Sequence, residues 1–162
     1  MKVITFLRHS KSSWDYDILD MHRPLSSVGI EKIKKTSISS KDQFISSEII
    51  FTSSANRALY TSILLSKNLS INYSKIKICD KLYTFNSSEV MEFIKNIDNI
   101  YSNVVLVGHN PAYTEISNYF SENKILNLPT ARWFSLKFIS DNWSDIIDLK
   151  PISYLSNLKS GV

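Results

Sequence analysis

Arg8 and His9 stand side by side at the end of an apolar run in "VITFLRHS". The run has the character of a buried strand, and a charged pair where it emerges from a sheet needs a partner or a ligand. Two other segments carry matching chemistry. Arg57 sits in "SSANR" and His109 in "VGHNP", each directly after an apolar stretch. Two arginines supply planar, permanently charged forks that fit phosphate oxygens. A neutral imidazole is a competent nucleophile toward phosphorus. Flanking cations disfavour the imidazolium form and keep such a histidine neutral. A second histidine can donate to phosphoryl oxygens as charge builds on them. Together, Arg8, His9, Arg57 and His109 point to phosphoryl transfer through a phosphohistidine on the protein itself.

These residues meet only if the elements before them are parallel neighbours. Apolar patterning predicts strands over 3–7, 49–51, 76–79 and 104–107, with closing strands over 133–138 and 146–149. Helices are expected from Ser26 or Ser27 to about residue 38, and over 55–69, 88–97 and 112–120. Residues 10–24 form a loop closed by Pro24. Alternating strands and helices imply a three-layer α/β/α sandwich with a mostly parallel central sheet. Ligands bind such sheets at the carboxyl ends of the strands. Arg8-His9, Ser53–Arg57 and Gly108-His109 all fall on that rim. Arg57 also lies in the first turn of its helix, where backbone N–H groups favour an anion.

Composition narrows the function classes. The 162 residues make one domain of ordinary size, 1–162, 43% apolar and 21% charged. The net charge of +4 is spread thinly, so no nucleic-acid footprint is indicated. A single cysteine, Cys79, excludes a disulfide framework within the chain and fits a reducing, cytoplasmic setting; it is expected to be a small core residue. No apolar stretch reaches the roughly 20 residues of a membrane helix, and the N-terminus lacks a signal-peptide pattern. Three glycines, Gly29, Gly108 and Gly161, cannot build a GxGxxG or Walker loop. Phosphate must therefore be held largely by side chains.

Plainer readings stand beside the chemical one. His9, His22 and His109 could assemble a zinc site, although no HExxH is present and the only thiol lies on another strand. Arg57 could be a helix-surface salt-bridge partner, and Gly108 could serve a strand-to-helix turn. Trp14, Trp133 and Trp143 are expected to be packing residues.

The segments "FLRHSKSSW", "HRPLSSVG", "TSSANRALYTS", "LVGHNP" and "LPTARWFSLKF", in this order, resemble the histidine phosphatase superfamily. They are most similar to its small SixA-like phosphohistidine phosphatases, and the resemblance covers essentially the whole chain. It implies a phosphoglycerate-mutase-like fold and a cofactor-independent, metal-free phosphatase. It implies that His9 is the phosphorylated nucleophile, with Arg8, Arg57 and His109 completing the phosphate pocket and Arg23 on a loop approaching it. The chain departs from the superfamily at Ser10, usually glycine. It departs again at Thr84, near where larger members carry an acidic proton donor. Asp15, Asp17, Asp80 and Glu89 are the other candidates for that proton. The implied substrate is a phosphohistidine on a protein partner. The alternatives are a small phosphate ester, or a phosphate-binding interaction module without turnover.

Overall fold

The computed structural model describes residues 1–158. Strand β1 (Lys2–Arg8) is followed by helices α1 (Ser27–Ser39) and α2 (Lys41–Phe44). Strand β2 (Ile49–Ser53) leads into α3 (Asn56–Leu69), and β3 (Ile76–Cys79) into α4 (Ser87–Lys95). Strand β4 (Asn103–Gly108) precedes α5 (Ala112–Phe120), and β5 (Trp133–Phe138) and β6 (Ser153–Ser156) close the sheet. The strand order is β3-β2-β4-β1-β5-β6. The first four strands are mutually parallel and β5 runs antiparallel to its neighbours.

Period-two alternation places the helices. Ile4, Phe6, Phe51, Val104 and Leu106 face one layer, where α4 contributes Val90 and Ile94 and α5 contributes Tyr113 and Ile116. Leu7, Ile50, Val105 and Val107 face the other, against Ile33 of α1, Phe44 of α2 and Ala58 and Leu65 of α3. Both faces are covered, which is why the central strands carry continuous apolar runs. Each fully buried side chain of this size contributes roughly 1.5–3 kcal/mol. Among the described residues no helix is long and apolar enough to cross a membrane.

The expected three-layer α/β/α sandwich is the fold found, with four corrections. Residues 146–149 are not a strand: Ile146–Asp148 is a 3-10 turn, and the closing strand is Ser153–Ser156. Ile146 is 2% exposed and packs into the core cluster that includes Trp143, so its apolar character reflects a buried turn. The short α2 escapes periodicity because only Phe44 of its four residues is buried. Cys79 is only partly buried, at the end of the sheet's edge strand. Trp133 and Trp143 are core residues, but Trp14 is 79% exposed and stacks on the Arg23 guanidinium at 3.1 Å from its ring centroid.

Helix α1 is capped as expected by Ser26, whose hydroxyl accepts the Gly29 N–H. Gly29 lets this helix lie against the loop after β1: a Cβ there would sit 2.0 Å from the Lys11 carbonyl oxygen. In α3 the buried residues are Arg57, Ala58, Thr61, Ser62, Leu65, Ser66 and Leu69, a face more polar than a plain apolar stripe.

Candidate active site

The register of the sheet brings the two histidines together. Arg8 of β1 pairs with Gly108 of the parallel β4, so His9 and His109 leave adjacent strands one residue later. The His9 N–H donates to the Gly108 carbonyl at 3.0 Å. The two imidazole centroids are 5.1 Å apart. Gly108 is needed for close approach rather than for its dihedrals: a Cβ there would lie 2.5 Å from the Tyr113 hydroxyl beneath it. On the other side of β4, β2 ends at Ser53, and α3 then delivers Arg57 from its first turn.

His9 is held by groups whose chemistry assigns its tautomer. Its Nδ1 lies 2.7 Å from the Ser10 carbonyl, which can only accept, so Nδ1 carries the proton. Arg57 Nε donates to Nε2 at 3.3 Å, so Nε2 presents its lone pair on the cationic side. Ser10 itself is fully buried; its hydroxyl donates to the Gly29 carbonyl at 2.6 Å and its N–H to Thr61 Oγ1 at 3.0 Å. The loop carrying His9 is thereby fastened to α1 and α3. Ser10 is thus used structurally.

His109 is 1% exposed. Its Nε2 is 2.8 Å from Ser53 Oγ, and its Nδ1 is 3.5 Å from an Arg57 terminal nitrogen. Arg57 can only donate, so Nδ1 accepts from it and Nε2–H donates to Ser53 Oγ, which also accepts the Ala55 N–H at 3.2 Å. The other tautomer, with the Ser53 hydroxyl donating to Nε2, is the one that offers Nδ1–H to a phosphoryl oxygen once Arg57 has turned onto the ligand. Tyr83 and Phe85 set their edges against the His109 ring at 5.6 and 5.5 Å.

Arg8 donates to the Leu128 carbonyl at 2.7 Å and to Asn127 at 3.3 Å, while its Nε is buried without a protein partner. Arg23 is buried but shares no hydrogen bond with either histidine. It donates to the Ser13 carbonyl, the Ser12 hydroxyl and Asp20. The four residues that the sequence groups are therefore assembled, with Arg23 one step behind them.

No candidate proton donor named from the sequence touches this group. Asp15 is engaged by the Ser13 hydroxyl, and Asp17, Asp80 and Glu89 are exposed. Thr84 accepts the Asn86 N–H. The carboxylate that does reach the site is Asp20, which sequence reasoning passed over. Its one signal was the spacing to Arg23, three residues on, which a helical turn converts into an ion pair of 3.1 Å. Ser53 and Tyr83 were missed as well. His22 is exposed on the Asp20–His22 turn, and no three His, Cys, Asp or Glu side chains come together among the described residues.

The electrostatics follow from burial amid cations. Desolvation and the charges of Arg57, Arg8 and Arg23 lower the His9 pKa to about 3, although the Ser10 hydrogen bond opposes them. His109 is lowered to about 3 by desolvation, His9 and Arg57. Both rings are therefore neutral in the folded state at neutral pH. In the unfolded chain each protonates near 6.5. Between about 6.5 and about 3 the unfolded state binds protons that the folded state does not, so stability falls as the pH drops through that window. Each histidine should contribute a slope of about 1.4 kcal/mol per pH unit there. Urea unfolding from pH 7 to pH 4 should show this loss, flattened in His9→Gln and His109→Gln. A stability unchanged down to pH 4 would contradict it.

No protein-family model and no curated protein sequence matches the chain. Solved structures do. A SixA protein from Agrobacterium tumefaciens, described as a phosphohistidine phosphatase, is similar over 95% of this chain and 97% of its own, with TM-score 0.77 and 20% identity. The protein histidine phosphatase SixA complexed with tungstate matches over 84% and 88%, with TM-score 0.72 and 18% identity. A mycobacterial glucosyl-3-phosphoglycerate phosphatase complexed with VO3 matches over 98% and 99%, with TM-score 0.68 and 12% identity. At these identities the likeness is one of architecture: the chain has the fold of the SixA phosphohistidine phosphatases.

Proposed function

We propose that this chain is a phosphatase that removes labile phosphoryl groups, phosphohistidine foremost, through a covalent intermediate on His9. The observation that carries the reading is the state of His9. It is neutral, its Nδ1–H is committed to Ser10, and its Nε2 lone pair faces the Arg57 guanidinium. That is a nucleophile prepared beside a cation able to bind the group it attacks.

In the first step Arg57 Nε–H turns from His9 Nε2 onto a phosphoryl oxygen, and the freed Nε2 lone pair forms a bond to phosphorus while the bond to the leaving atom breaks and its electron pair departs with that atom. Arg8 and Arg57 neutralise the phosphoryl oxygens, and His109 donates to one of them. In the second step water attacks the phosphohistidine, His9 recovers its lone pair, and inorganic phosphate and a proton are released.

Support for a protein-borne substrate comes from the mouth. Trp14, Tyr16, Ile18 and Leu19 on the loop after β1, and Phe85, whose ring packs against His109, are exposed apolar side chains. They offer a surface for the partner that carries the phosphoryl group. A second reading, hydrolysis of a small phosphate monoester, is favoured by the same fold in the glucosyl-3-phosphoglycerate phosphatase.

The test is phosphate release from p-nitrophenyl phosphate and from a phosphohistidine protein, side by side. Turnover of both is expected, with the phosphohistidine protein preferred, no loss in EDTA, and inhibition by tungstate and vanadate. A sugar phosphate as the best substrate would favour the second reading. A rate abolished by EDTA and restored by one metal would contradict the metal-free mechanism.

A further inference from the structure

We infer that Asp20 is a positioning residue of the phosphate pocket, the carboxylate that sets Arg57 and Arg23 in place around His9. This rests on the phosphate-site reading above and goes beyond it, because Asp20 belongs to neither the histidine pair nor the arginines.

The contacts converge on one side chain. Arg57 donates through one terminal nitrogen to the Asp20 carbonyl at 2.7 Å and through the other to Asp20 Oδ2 at 2.8 Å. Its Nε is then left for His9 Nε2. Arg23 donates to the other carboxylate oxygen at 3.1 Å. The Tyr83 hydroxyl, from the β3–α4 connection, donates to Oδ2 at 2.9 Å. Nearby, Asn56 at the start of α3 donates to the His22 carbonyl at 2.9 Å, fastening the turn that carries Asp20. Three segments far apart in sequence thus meet at this carboxylate.

The arrangement needs a charge there. Arg57 and Arg23 would otherwise face each other as like charges near a third arginine, Arg8. Among the described residues Asp20 is the only carboxylate in ion-pair contact with any arginine. Burial alone would raise its pKa, but hydrogen bonds from Arg57, Tyr83 and Arg23 outweigh it and hold the group at about 2. It is therefore an anion at every working pH and cannot act as the proton donor to a leaving group. It is also placed outward, 43% exposed where Arg57 is 3% exposed, so it braces the guanidinium from the solvent side. A guanidinium misplaced by about 1 Å at a reacting centre can cost on the order of 10²-fold in rate.

The test is a double-mutant cycle on the full chain, with Asp20→Ala, Arg57→Ala and the pair, read both in kcat/KM and in tungstate affinity by calorimetry. Asp20→Ala alone should lower kcat/KM by on the order of 10–10²-fold and weaken tungstate. In the Arg57→Ala background the same change should cost less than about threefold, because residues acting through one another are not additive. Asp20→Asn, which keeps the shape, should fall between wild type and Asp20→Ala and guards against a misfolded alanine variant. Independent losses in the cycle, wild-type behaviour of both Asp20 variants, or tungstate bound more tightly without Asp20 would each overturn the inference. So would a loss that grows with leaving-group pKa, which marks a proton donor. A wild type that binds tungstate but turns over no phosphate would overturn the phosphatase reading and leave the cycle in tungstate affinity to decide Asp20. A wild type that binds no tungstate would overturn both.

Discussion

His9→Ala should lower turnover by about 10⁴–10⁶-fold, the scale of losing a covalent nucleophile. Nothing nearby can substitute. His109 is 1% exposed, against 8% for His9, and commits Nε2 to Ser53. The only cysteine, Cys79, ends the edge strand β3, two strands away from β4. The same variant should still bind tungstate, because Arg8, Arg57 and His109 remain. His109→Ala, by contrast, removes a contact to the transition state and leaves the route intact, a loss on the order of 10²–10³. Steady-state kinetics on both variants, with tungstate calorimetry alongside, separate nucleophile from stabiliser. Appreciable turnover in His9→Ala would move the nucleophile elsewhere.

The second large effect lies in the choice of leaving group. Alkyl phosphates should trail aryl phosphates and phosphohistidine by about 10²–10⁴-fold in kcat/KM, the range that a missing general acid represents. Asp15, Asp17, Asp80 and Glu89 share no hydrogen bond with His9, Arg57 or His109, and Asp20 is locked as an anion. Tyr83 donates its proton to Asp20, and burial followed by the Asp20 contacts raises its pKa, so it is a poor acid too. An alkoxide therefore departs unaided. Imidazole needs far less help, since its conjugate acid has a pKa of about 6.5. A series of phosphates graded by leaving-group pKa, assayed at one pH, should show a steep fall in rate. A flat profile would mean that a carboxyl group delivers the proton after all.

What the sequence made legible, and what it hid, follows from the range of the signals involved. Strand-end positions are local: "VITFLRH" and "VLVGH" each announce a buried strand ending in a histidine, and parallel pairing of Arg8 with Gly108 turns that pattern into a histidine pair. Arg57 was legible for the same reason, one turn into a helix after "IIFTSS". Asp20 was not. It shares a connection with Asp15 and Asp17, and its spacing to Arg23 is the one local feature that separates it. The tertiary contacts from Arg57 and Tyr83 are what single it out. The apolar residues of 146–149 misled because a buried 3-10 turn and a short strand need the same side chains over so few positions. Trp14 misled because an indole on a loop can cover a guanidinium in place of a core.

The covalent intermediate is the claim on which the rest depends, and rapid-quench labelling tests it most directly. The wild-type chain is mixed with a phosphorus-labelled aryl phosphate, quenched in base within the first turnover, and the label located by peptide mapping. A base-stable, acid-labile phosphoryl group on His9, absent from His9→Ala and forming at least as fast as inorganic phosphate appears, is the predicted result. Turnover with no label on the chain, or label that persists in His9→Ala, would contradict it.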